Sequence, residues 1–113
     1  MADSLWVKEF PGSVTVCDSK GIILEMNDRA VRSFQDQGGE KLIGTNLLDC
    51  HPEDARAKLR QLMGTQQVNV YTTEKDGVRK FIYQSPWYRD REYSGFVEVS
   101  MEIPERIPHF VRS

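Results

Sequence analysis

The chain has 113 residues, 39% hydrophobic and 28% charged, with a formal net charge of -2. That is enough for one ordinary globular domain around one core. The balance leaves no electrostatic footprint for nucleic acid or an anionic membrane, and no apolar run reaches the length of a membrane span.

Residues 1–12 form a lead-in. Leu5, Trp6 and Phe10 make a short apolar start, read as a short helix, which ends at Pro11-Gly12. The start lacks the charged-then-apolar layout of a signal peptide. Ser13-Val-Thr-Val-Cys-Asp18 follows as a strand by its β-branched content. Asp18-Ser-Lys-Gly21 is a tight turn, with Asp to open it and Gly to take positive φ. Ile22-Ile-Leu-Glu-Met26 is the returning strand.

Asn27 suits a helix N-cap, and Asp28 places an acid in the first turn. That helix would turn Ala30, Val31 and Phe34 inward and break by Gly38-Gly39; Leu42 and Ile43 sit on a helical turn stopped by Gly44. A longer helix starts with Pro52 at its first position, followed by Glu53 and Asp54. Ala55, Leu59, Leu62 and Met63 form its buried stripe, Arg56, Lys58 and Arg60 its solvent side, and Gly64 its stop. Cys17 and Cys50 lie far apart and form no disulfide framework, so the expected compartment is reducing and cytoplasmic.

The last third is strand-like. Val68 and Val70 alternate with Asn69 and Tyr71, and Asp76-Gly77 is a two-residue turn signal. Phe81, Tyr83, Ser85 and Trp87 fall on one face of the next run, and Ile82, Gln84 and Tyr88 on the other. After a turn at Asp90-Arg-Glu92, Tyr93, Gly95, Val97, Val99, Met101 and Ile103 alternate cleanly with Ser94, Phe96, Glu98, Ser100 and Glu102. Pro104 and Pro108 bracket a tail over 104–113 that continues no strand.

The order is two strands, helices, then a three-stranded meander. Short connections make neighbouring strands antiparallel, and one apolar sheet face needs a helical cover. The expected architecture is α+β: a five-stranded antiparallel sheet over 13–103 with helices packed on one face.

Three segments carry a family resemblance. Val14-Thr-Val-Cys-Asp-Ser-Lys-Gly-Ile-Ile-Leu-Glu-Met-Asn27 resembles the opening of a PAS domain, Leu42-Ile-Gly-Thr-Asn-Leu-Leu-Asp-Cys-His-Pro-Glu-Asp54 its central segment, and Tyr93-Ser-Gly-Phe-Val-Glu-Val-Ser-Met-Glu-Ile103 its closing strand. The Cys50-His51-Pro52 run and the closing strand are most similar to the PAS module that accompanies hemerythrin-like regions, here as a stand-alone bacterial sensor domain. The resemblance implies signal transduction rather than catalysis. It implies a cleft between sheet and helices for a small, mostly apolar ligand, and an outward surface for a homodimer or a separate signalling protein. Leu5, Trp6, Phe110 and Val111 are the candidate dimer contacts.

Tyr71, Tyr83, Ser85, Trp87 and Phe96 are the candidate ligand-binding set, joined by Cys50 and His51. If the Tyr83, Ser85 and Trp87 face looks inward, it offers hydroxyl and indole donors to a mostly apolar pocket. If it looks outward, the same side chains make a patch for association. Cys50-His51 could serve haem or metal ligation in a redox sensor, but the zinc spacings are missing, and a packed cysteine beside a helix-capping histidine explains the pair as well. No catalytic motif and no metal set stand out, and no cofactor follows from the residues. A ligand-free interaction module with an aromatic-filled core is the alternative function.

Overall fold

The computed structural model describes residues 5–113, with the side chain of Cys50 outside the described set. The first turn forms as expected. Asp18 Oδ1 accepts from the backbone N–H of Lys20 at 2.9 Å and of Ile22 at 3.0 Å, and Gly21 takes φ +89°. This turn joins β1 (Ser13–Asp18) to β2 (Ile23–Met26), and the pair carries a register shift between Val16 and Cys17. Helix α2 (Asp28–Ser33) starts on the Asn27 cap and buries Ala30 completely, and a short 3-10 turn at Gly39–Leu42 buries Leu42. Ile43 leaves that turn extended and exposed, unlike the expectation of a shared helical turn.

Helix α3 (Glu53–Thr65) departs from the sequence reading at both ends. Pro52 is its N-cap rather than its first residue. The helix continues through Gly64 and stops at Gln66, which takes φ +54° while its N–H bonds to the Leu62 carbonyl. An exposed glycine tolerates the helix interior at a cost of about 1 kcal/mol, and the left-handed residue two positions later satisfies the loose carbonyl. Leu62 is buried, while Ala55, Leu59 and Met63 are half-buried, so the expected stripe forms.

The rest of the sheet is β3 (Asn69–Lys75), β4 (Val78–Arg89) and β5 (Glu92–Ile103), all antiparallel, in the order β2-β1-β5-β4-β3. The last strand therefore lies in the middle, hydrogen-bonded to β1 on one side and β4 on the other. The lead-in helix α1 (Leu5–Lys8) lies on the opposite side of the sheet from α2 and α3, where Trp6, Val7 and Phe10 flank a trough with Val14, Val16, Val97 and Val99. The tail after Pro104 has no regular structure. Arg79 Nη1 donates to the Glu105 carbonyl at 3.1 Å, and Phe110 and Val111 are exposed.

The core is two small clusters. One joins Ile23, Met26, Ala30 and Leu42, and the other joins Cys17, Leu62 and Phe96. Leu47 packs against both. No large side chain among the described residues is completely buried, so the core is thin for a domain of this size.

Candidate functional site

Strand register decides which side chains face the helices. Cys17 pairs with Phe96, and Phe96 with Pro86, and all three are buried. The next row on the same face runs across four strands as Thr15, Glu98, Gln84 and Asn69, each opposite the next. The alternate rows, Val14–Val99–Tyr83–Val70 and Val16–Val97–Ser85, lie on the far face.

Between the inner face and the helices lies a half-open cavity of about 90 Å3. Its walls are apolar: Cys17, Ile23, Met26, Phe34, Leu42, Leu47, Leu59 and Phe96. Its polar lining is Thr15, His51, Gln84 and Glu98. One water needs roughly 10–15 Å3 of such space, so the volume suits a ligand about as bulky as six waters.

The floor is an ordered hydrogen-bond chain. Asn69 Nδ2 donates to Gln84 Oε1 at 2.8 Å, and Gln84 Nε2 donates to Glu98 Oε2 at 2.7 Å. Gln84 is 8% exposed, and both ends of its amide are engaged, as a buried amide requires. Tyr71 shares this face at the edge strand. Burial, and then the Glu98 charge, push its phenol above the ordinary range.

His51 follows the 3-10 turn Leu47–Cys50, and its Nδ1 lies 2.7 Å from the Leu47 carbonyl. A carbonyl can only accept, so Nδ1 carries the proton and Nε2 of the neutral ring is an acceptor. Cys17 is a packing group. Burial raises its thiol above the ordinary range, against a hydrogen bond from the Phe96 backbone that lowers it. The thiol is therefore protonated at neutral pH and a poor nucleophile.

The structure divides the residues that the sequence grouped as one lining. Phe96 and His51 line the cavity, and Tyr71 stands on the same face but 42% exposed. Tyr83, Ser85 and Trp87 belong to the far face, so their hydroxyl and indole groups do not point at the cavity. Trp87 Nε1 instead donates to the Cys17 carbonyl at 2.9 Å, and Ser85 Oγ to its neighbour Pro86 at 2.8 Å. The Cys50 side chain lies outside the described residues. Sequence reasoning missed Thr15, Gln84 and Glu98. A signal was present in Ile82 and Gln84 sharing their parity with Pro86, on a strand whose other parity also looks apolar.

The geometry defines an α+β domain whose helices close a ligand-sized cleft over the inner face of a five-stranded antiparallel sheet. Several solved PAS domains match it over most of its length. The PAS domain of BvgS from Bordetella pertussis is 15% identical, with a TM-score of 0.67 over 90% of this chain and 84% of its own. The PAS domain of an HTR-like protein from Haloarcula marismortui is 14% identical, with a TM-score of 0.60 over 87% and 86%. The Aer2 receptor from Vibrio cholerae, described as a dual PAS-haem oxygen sensor, is 15% identical, with a TM-score of 0.59 over 82% and 95%. No family model and no curated protein matches the sequence. The chain has the PAS fold.

Proposed function

We propose that this chain is a sensory module whose input is the occupancy of the cleft by a small, mostly apolar molecule. The observation that carries the reading is the cavity itself, walled by members of both core clusters and floored by a fixed polar row. A filled core would leave no such space. The PAS domains of sensors and receptors among its structural neighbours support a signalling role. At about 90 Å3 the cavity is well below the roughly 300–1,000 Å3 of sites for drug-sized ligands, so the expected input has few heavy atoms.

Transmission would run through α3. This helix supplies Leu59 to the cavity wall and buries one residue, Leu62, so it is loosely held. A ligand that packs better against one position of α3 shifts its population by the difference in affinity. Met26 lies in the cavity wall, while Met101 pairs with Phe81 on the far face. Titration of methyl-labelled protein with indole and with cyclohexanol should therefore move the Met26 resonance and leave Met101 in place. No movement of Met26 with either compound would remove the reading.

The far face favours a second role, association of two copies. It presents Val70 and Tyr83 at 47% and 39% exposure, beside the trough under α1, where Trp6 is 72% exposed. Contiguous exposed apolar surface of this kind marks interaction sites. Tyr83→Lys is expected to convert a sedimenting dimer into a monomer with an unchanged circular dichroism spectrum. A parent protein that sediments as a monomer at high micromolar concentration would exclude this role.

A further inference from the structure

The polar row on the cleft floor goes beyond what the fold needs. Gln84 requires one acceptor for its amide nitrogen, and a neutral acceptor at position 98 would serve. The chain places a carboxylate there instead, half-buried, against a cavity whose walls are mostly hydrocarbon. The ion pairs among the described residues join Lys8 to Asp28, Arg56 and Arg60 to Glu53, and Arg79 to Glu74, and none involves Glu98. The hydrogen bond from Gln84 occupies one of its oxygens. The other oxygen keeps its acceptor capacity in a residue that lines the cavity, and no ion pair among the described residues neutralises the carboxylate. An incoming cation would give that carboxylate a partner, and a charge-assisted hydrogen bond is roughly twice as strong as a neutral one.

The other polar groups agree in sign. In the neutral ring His51 Nε2 is an acceptor, because Nδ1 is committed to the Leu47 carbonyl. Thr15, opposite Glu98 in register, can accept through its hydroxyl. The polar end of the cavity thus holds one charged acceptor, Glu98, beside the neutral groups of Thr15, His51 and Gln84, and its walls are mostly hydrocarbon. A metal ion needs a set of ligands, and among the described residues no three His, Cys, Asp or Glu side chains converge.

We propose that the cleft selects a small organic cation: an ammonium or amidinium group on a short hydrocarbon body. The charged head pairs with Glu98, and the body packs against Ile23, Met26, Leu42 and Phe96. This rests on the reading of the cleft as a ligand site and adds the chemical class of the ligand. Gln84 and Asn69 act as positioning residues, since their hydrogen-bond chain fixes the carboxylate before the ligand arrives.

The test compares n-pentylamine, 1-pentanol and pentanoate on the methionine-methyl-labelled protein, with Met26 as reporter and Met101 as control. Glu98→Gln is the variant. Its amide oxygen still accepts from Gln84, so the fold is retained, and its methyl spectrum checks that. Pentylamine is expected to bind at least about tenfold more tightly than the alcohol, as a charge-assisted hydrogen bond implies, with pentanoate weakest. In Glu98→Gln the amine should lose that advantage over the alcohol. Equal binding of alcohol and amine, tighter binding of pentanoate, or an amine affinity indifferent to Glu98→Gln would overturn the cation assignment and leave the cleft a ligand site. Failure of all three compounds to move Met26 would overturn both.

Discussion

Gly95→Ala is expected to lower the stability of the domain by about 4 kcal/mol, beyond the range of most single substitutions. Gly95 has φ +149°, a conformation that side chains rarely adopt. A β-carbon there would overlap the Cys17 carbonyl oxygen and stand 2.8 Å from the carbonyl carbon and Cα of Asp18. These are backbone atoms of the paired strand, so no side chain can give way. Relief requires β1 and β5 to separate where Asp18 pairs with Gly95, and that separation also pulls the Cys17 carbonyl from the Trp87 indole. With roughly 4–8 °C lost per kcal/mol in a domain of about this length, the melting temperature should fall by about 20 °C. Trp87→Phe removes the indole donor and leaves the backbone alone, so it should cost about 1 kcal/mol. Thermal unfolding followed by circular dichroism measures both. An alanine variant melting within about 5 °C of the parent would show that the strands part there cheaply.

That close approach was not legible in the sequence, and the reason is general to this fold. Features settled within a few residues were legible: the Asp18–Gly21 turn, the Asn27 cap, and the Asp76-Gly77 turn, where both residues take positive φ. Each depends on a side chain and a backbone group close together in the chain. The central place of β5 is different. Its pairing with β1 joins residues about 80 positions apart, and periodicity carries no information about such a partner. The order β2-β1-β5-β4-β3 enters with the structure.

The same limit explains the misplaced site. The period of β4 and β5 is legible in the sequence, and which face looks inward is left open by it. Both parities of β4 carry large side chains: Phe81, Tyr83 and Trp87 on one, Ile82, Gln84 and Pro86 on the other. On β5 the run Val97, Val99 and Met101 is apolar, yet the large side chain that is buried is Phe96. The valine side is apolar because it floors the trough beneath Trp6 and Phe10. The sheet thus has two apolar faces, and alternation identifies a core side when one face is wet. Glu98 joins the cleft lining through register, opposite Thr15 and Gln84.

Asn27→Ala is expected to cost about 3–4 kcal/mol, more than the loss of a helix cap, which is typically about 1 kcal/mol. Asn27 is 4% exposed, and its amide makes four hydrogen bonds to three segments. Oδ1 accepts from Ala30 N at 3.1 Å, the capping contact, and from Val14 N at 2.9 Å on β1. Nδ2 donates to the Val7 carbonyl at 3.0 Å and the Gly12 carbonyl at 2.7 Å in the lead-in. Alanine would leave these four backbone groups without their partner, some in places water reaches poorly. Asn27→Asp separates the two jobs of the side chain. It keeps the acceptors for α2 and β1, but it removes both donors and sets a carboxylate against two carbonyl oxygens. If the amide does no more than cap α2, aspartate should be as stable as the parent. If it also fastens the lead-in, aspartate should be destabilised nearly as much as alanine. In both variants trypsin should then cut after Lys8 much faster than in the parent, because α1 has lost its tie to the far face of the sheet. Denaturant unfolding and timed proteolysis of the three proteins distinguish these cases, and a parent-like aspartate variant would confine Asn27 to its role at the helix end.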